Sequence, residues 1–133
     1  MRVDQIWVDE AQVVEEGDTL RLIFPVTCGQ TRTPLWFTVR NAVAAPSGNA
    51  ALAMTLVPAM RTARSLGLAD SLSPRLFASQ AAIQKLFQQW DERFNVVPVM
   101  APLGEPRQAS TAGTGLFFSG GVDSFFSLLR HQE

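Results

Sequence analysis

One stretch limits the possible folds more than any other: Leu116-Phe117-Phe118-Ser119-Gly120-Gly121-Val122-Asp123-Ser124-Phe125-Phe126-Ser127-Leu128-Leu129. An apolar run suited to a buried strand stops at Ser-Gly-Gly. Val122, Phe125, Phe126 and Leu129 then recur at i, i+3, i+4 and i+7, the spacing of a helix face. The segment therefore predicts a strand, a tight glycine turn and a helix. A turn of this kind suits an anion, because a helix start offers unpaired N–H donors and the positive end of the helix dipole.

The chain has 133 residues, 47% of them hydrophobic and 17% charged. That excludes a disordered or fibrous chain and permits a core of single-domain size. The formal net charge is -1, and acids and bases are interspersed without a Lys/Arg cluster, so the chain gives no sign of a nucleic-acid-binding face. Cys28 is the only cysteine, which excludes an intramolecular disulfide and a cysteine-based zinc cluster. A cytoplasmic location is the simplest expectation. Met1 to Trp7 lacks the apolar core of a signal peptide, and no apolar run approaches the roughly 18 residues of a membrane helix.

Taken in order, residues 3 to 8, Gln12 to Val14, Thr19 to Val26 and Leu35 to Val39 carry strand composition, the third with Leu20, Leu22, Phe24 and Val26 alternating along one face. Gly17 suits a hairpin turn after Glu16. The short links predict an antiparallel meander. From Asn49 the spacing turns helical: Leu52, Leu56, Ala59, Ala63 and Leu66 share a face, with Asn49 as cap, Gly67 as stop and Pro58 as a kink or break. A second helix is predicted from Ser73 as N-cap and Pro74 in the first turn. Its stripe is Leu76, Ile83, Phe87, Trp90 and Phe94, and its Gln-rich face is expected to be solvated. Asn95 to Met100 reads as a strand with Pro98 at its edge or end. The Pro-, Gly-, Ala-, Ser- and Thr-rich residues 101 to 114 read as a linker.

Ser119-Gly120-Gly121-Val122-Asp123-Ser124 matches SGGxDS at all five fixed positions. With each residue type used at roughly 5–7%, a chance match in such a chain is on the order of 1 in 10,000. The segment resembles the signature of the PP-loop ATP pyrophosphatase superfamily, of the adenine nucleotide alpha hydrolase-like kind. The resemblance covers about residues 115 to 131. The region before it is similar in layout to the leader region of bacterial proteins that carry SGGVDS followed by aromatics.

The resemblance implies an α/β nucleotide-binding domain in which Ser119, Gly120, Gly121, Val122, Asp123 and Ser124 hold the pyrophosphate end of ATP. Family members cleave ATP between the α and β phosphates, adenylate a substrate carbonyl or carboxylate, and pass it to an amine, ammonia or sulfur. It thus implies a ligase of amidating or thiolating type, with ATP and Mg²⁺ as cofactors and a small-molecule or tRNA-derived second substrate.

The residues themselves suit that work. Gly120 and Gly121 let the backbone turn sharply towards phosphate, and Ser119 and Ser124 add hydroxyl donors. Asp123 beside a polyphosphate calls for a cation between them or for a role in holding the loop amides, and it is the candidate Mg²⁺ ligand. A Walker A loop is excluded, since Lys85 is the only lysine. Arg130 and His131 are expected near the helix C-terminus, too far along for the phosphates.

The expected architecture is an α+β accessory domain over residues 1–100, an antiparallel meander plus helices, then a linker over 101–114. Residues 115–133 form the first βα unit of an α/β nucleotide-binding domain, left incomplete because nine residues after Ser124 finish one helix and no second parallel strand. On that expectation the chain is a fragment, inactive alone. The alternative is a non-catalytic phosphate-binding or protein-interaction module with a structural glycine turn. Cys28 is expected to be a small buried or half-buried residue. Trp7, Trp36 and Trp90 are expected in the core rather than on a stacking surface, and Arg61 and Arg64 on a solvated face.

Overall fold

The computed structural model describes residues 4–40, 48–105 and 121–130. Within them nine elements follow one another: β1 (Gln5–Val8), β2 (Gln12–Glu16), β3 (Thr19–Cys28), β4 (Thr31–Arg40), α1 (Gly48–Thr62), β5 (Ser65–Leu68), α2 (Pro74–Trp90), β6 (Val99–Met100) and α3 (Val122–Arg130). The described chain is α+β, with the six strands in one mixed sheet.

Of the four strands expected to form a meander, β2, β3 and β4 do so. Each of its hairpins turns on two residues whose first is a glycine at positive φ, Gly17 at 65° and Gly29 at 60°, the pattern of a type II′ turn. The long strand β3 has β4 along the whole of one edge, from Thr19↔Arg40 to Cys28↔Thr31. Its other edge is shared: β2 covers Thr19 to Ile23 and β1 covers Val26 to Cys28.

The sheet departs from a pure meander at β1. Besides its antiparallel pairing with β3, β1 runs parallel to β5, and β5 runs parallel to β6. These parallel pairs need crossovers. The β2–β4 meander and α1 supply the first, and α2 supplies the second.

The core lies between the sheet and α1. Ile6, Val8, Phe24, Leu66 and Leu68 point at Leu52, Leu56, Ala59 and Met60, with Leu76, Phe77, Ile83 and Phe87 of α2 packed against the same cluster. Phe24, Ala59, Met60, Leu66 and Leu72 are wholly inaccessible. At about 25 cal/mol per Å² of apolar surface, this cluster is the main source of stability. Both helices thus cover one face of the sheet. Pairing puts Trp7, Gly67 and Met100 in register on the other.

The first helix ends earlier than its apolar spacing predicts. Ala63 takes φ 53°, Arg64 N–H donates to Ala59 O (3.1 Å) and Ala63 N–H to Met60 O (3.4 Å). This is a Schellman ending with alanine where glycine is usual. Leu66 and Gly67 therefore belong to β5, not to the helix or its stop. Pro58 neither splits the helix nor ends it; α1 runs through it to Thr62, forgoing one ladder bond to Met54 O. Asn49 is not a cap, for its Oδ1 accepts from Ser73 N–H (2.9 Å) and ties the starts of the two helices together. Replacing Ala63 with Gly removes the left-handed strain, and Ala63→Gly is expected to stabilise the chain by about 1 kcal/mol in denaturant unfolding.

The start of α2 is as expected, with Ser73 Oγ accepting from Leu76 N–H (3.3 Å). Its Gln-rich face is not uniformly wet. Gln84 is 1% exposed, and its amide pairs both backbone groups of Val97: Oε1 accepts from Val97 N–H (2.7 Å) and Nε2 donates to Val97 O (3.1 Å). Of the strand expected over Asn95 to Met100, β6 takes only Val99–Met100, with Pro98 O accepting from Leu66 N–H just before it (2.9 Å).

Two of the three tryptophans are not core: Trp36 is 60% and Trp90 68% exposed. The helix bearing Trp90 ends on Asp91, whose carboxyl pKa is lowered to about 2, chiefly by hydrogen bonds from Arg93. Ala101 to Gly104, where the linker was expected to begin, lie bonded to the body. Leu72 N–H donates to Pro102 O (2.9 Å) and Gly104 N–H to Leu72 O (2.8 Å).

Candidate functional site

The sequence places the site at the start of α3. That helix begins at Val122, immediately after Gly121, with Asp123 in its first turn and Arg130 in its last. Gly121, Val122 and Asp123 are solvent-exposed, and Ser124 lies in the same first turn. These four motif positions run from a bend at Gly121 into the first turn of the helix. Ser119, Gly120, the expected strand Leu116 to Phe118 and His131 lie outside the described residues.

A helix start here has a local cause. Gly120 and Gly121 disfavour helix, whereas from Val122 onward there is no glycine or proline through Arg130. Asp123 in the first turn interacts favourably with the dipole, and Arg130 does so at the other end. The guanidinium of Arg130 lies over the Phe126 ring, 5.9 Å from its centroid. Arg130 is eight residue steps from Val122, about 12 Å along the helix axis, and so stands away from the start of α3. Val122, Phe126 and Leu129 are 85%, 62% and 67% exposed and form an apolar stripe at helical spacing.

A second feature lies at the carboxyl ends of the parallel strands. Trp7, Leu68, Ala69, Met100, Ala101 and Pro102 line an open hollow of about 420 Å³. Trp7 Nε1–H donates to Asp9 Oδ1 (2.9 Å) and Arg32 Nη2 to Asp9 Oδ2 (2.7 Å), so one carboxylate fixes both side chains. Trp7, expected in the core, lines this hollow, and β5 occupies Ser65–Leu68, where the apolar spacing continues a helix. Brief apolar alternation at Leu66-Gly67-Leu68 was the available signal.

Cys28 is half-buried as expected, and Arg64 Nη1 donates to its Sγ. Arg64 is correspondingly half-buried, whereas Arg61 is exposed. Among the described residues no group of three or more His, Cys, Asp or Glu side chains is placed to hold a metal ion. No helix there is long and apolar enough to cross a membrane. No protein-family model matches the chain, and no curated protein matches it in sequence.

Proposed function

We propose that the chain binds ATP through Ser119 to Ser124 and belongs to an enzyme of PP-loop type that adenylates a substrate carbonyl or carboxylate with release of pyrophosphate. The observation that supports this reading is the start of α3 at Val122, directly after the glycine pair of SGGVDS. The motif needs that junction, because the first turn of a helix is where free N–H groups and the dipole act on phosphate. The glycines keep side chains out of the path of the polyphosphate.

Magnesium fits the residues present. Asp123 offers a single exposed carboxylate in the first turn of α3, and the ion commonly takes one or two protein carboxylates and completes its shell with water and nucleotide oxygens. When bound, it would neutralise charge on the phosphates. The chain's own part is to orient the phosphates with loop amides and the Ser119 and Ser124 hydroxyls. The second substrate, small or tRNA-derived, is chosen elsewhere than in this loop.

ATP–pyrophosphate exchange tests adenylation in the full-length protein. Asp123→Asn and Gly121→Val are each expected to abolish exchange while circular dichroism shows the sheet and α1–α2 body still folded. Turnover unchanged in both variants would remove the motif assignment. ATP binding that persists with no exchange for any carboxylate or amide substrate would favour a phosphate-binding module instead.

A further inference from the structure

We propose that β4 is a self-association edge, through which two copies of this chain pair antiparallel about a two-fold axis at Trp36 and join their sheets into one. β4 pairs only with β3, so among the described residues its outer edge carries unpaired backbone groups. It is ten residues long and solvent-exposed at every position but Val39. Leu35, Trp36 and Phe37 are 36%, 60% and 46% exposed. Natural edges are usually kept short, charged or bulged to prevent pairing; the middle of this one is apolar.

The register settles which backbone groups face outward. Pro25 stands opposite Pro34, and since neither has an N–H, that pair cannot be a hydrogen-bonded one. Asp9 N–H donating to Pro25 O (2.9 Å) agrees, for it points Pro25 away from β4. Alternation along the ladder then directs the backbone groups of Arg32, Pro34, Trp36, Thr38 and Arg40 to the outer edge.

The strand is close to self-complementary about Trp36. It reads Arg32-Thr33-Pro34-Leu35-Trp36-Phe37-Thr38-Val39-Arg40. Antiparallel pairing centred on Trp36 lets the two Trp36 residues exchange both backbone bonds and lets each Thr38 N–H reach the partner's Pro34 carbonyl. Each Leu35 then stands opposite the other copy's Phe37 in the closer, non-hydrogen-bonded kind of pair, where apolar side chains gain most. A two-fold interface requires this kind of self-match.

Charge permits it as well. No charged residue lies between Thr33 and Val39. At the ends Arg32 meets Arg40 of the other copy, but Arg32 is already paired with Asp9 (2.7 Å), so the incoming guanidinium meets an ion pair rather than a bare cation. An extended strand from a different protein would have no reason to repeat this symmetric apolar centre.

Light scattering on the whole chain, over a dilution series from above about 100 µM, is expected to give twice the chain mass at the top and dissociation on dilution. Thr38→Pro removes an outward donor without touching the β3 ladder, and Trp36→Lys sets two cations against each other on the axis. Each is expected to leave a folded monomer, with at least a tenfold rise in the dissociation constant. A native chain that stays monomeric throughout overturns the proposal and leaves the edge for a strand of another protein. So does a dimer that both folded variants retain.

Discussion

Gly67→Val is expected to lower stability by about 3 kcal/mol and the melting temperature by about 10 °C. Gly67 lies in β5 directly opposite Trp7 of β1, and the six-membered ring of the indole approaches its Cα closely. A Cβ there would fall 2.6 Å from Trp7 Cζ3 and closer still to Cε3, and 2.7 Å from Gln5 Nε2. Gln5 can swing its amide away. Trp7 cannot move cheaply, because Nε1–H is held by Asp9 and that carboxylate also holds Arg32. Relief therefore requires either breaking the indole's hydrogen bond or separating β1 from β5. Thermal unfolding followed by circular dichroism measures the loss. A double variant with Trp7→Ala should recover most of the steric part, since the clash goes with the ring. If Gly67→Val costs as much in the Trp7→Ala background, the close approach is not what demands glycine there.

Where a local signal matched the contact that decides the structure, the sequence was legible. The meander could be read from Leu20, Leu22, Phe24 and Val26 and from Gly17, since alternation and a positive-φ glycine act between neighbours. Ser73 and Pro74 marked α2 for the same reason. β5 escaped because Ala63 and Leu66 continue the helical spacing of Leu52, Leu56 and Ala59. What stops the helix is a left-handed alanine, a residue type that seldom carries that conformation. Gly67 was correctly singled out as special but for the wrong reason: its need is room for an indole sixty residues away in sequence, which no local pattern records.

The candidate site divides the same way. A helix starting after a glycine pair is a local property, and α3 does begin at Val122 with Asp123 in its first turn. The hollow beside Trp7 depends on two parallel pairings and on the path of Ala101 and Pro102 past Leu72. Trp36 shows a further limit. Strand alternation puts it opposite the face of Leu35 and Phe37, but burial depends on whether another layer covers that face. Trp36 stays 60% exposed, with the Arg21 guanidinium over its ring, 5.6 Å from the centroid.

Gln84→Leu should cost about 3 kcal/mol despite adding an apolar side chain to a buried position. Gln84 occupies the place a neighbouring strand would take beside Val97: its carbonyl oxygen accepts from Val97 N–H and its amide nitrogen donates to Val97 O. Gln80 Oε1, one turn earlier on α2, accepts from the same nitrogen at 2.5 Å and fixes which end of the amide faces which backbone group. Val97 is 5% exposed, so water cannot readily replace the lost partners, and each stranded backbone group costs about 1–3 kcal/mol. Leucine returns part of this through burial of its own surface, which is why the expected loss stays below the sum. Gln84→Glu separates the two bonds. An ionised carboxylate still accepts from Val97 N–H but cannot donate to Val97 O, and it buries a charge, so burial should raise the pKa of the introduced carboxyl. A raised carboxylate pKa makes the variant relatively more stable as pH falls through that value, because the protonated acid can donate. Urea unfolding of both variants across mildly acidic and neutral pH is the measurement. Gln84→Glu should approach the native chain on acidification, and Gln84→Leu should not. If the two variants keep the same deficit at every pH, the amide is filling space rather than pairing the backbone of Val97.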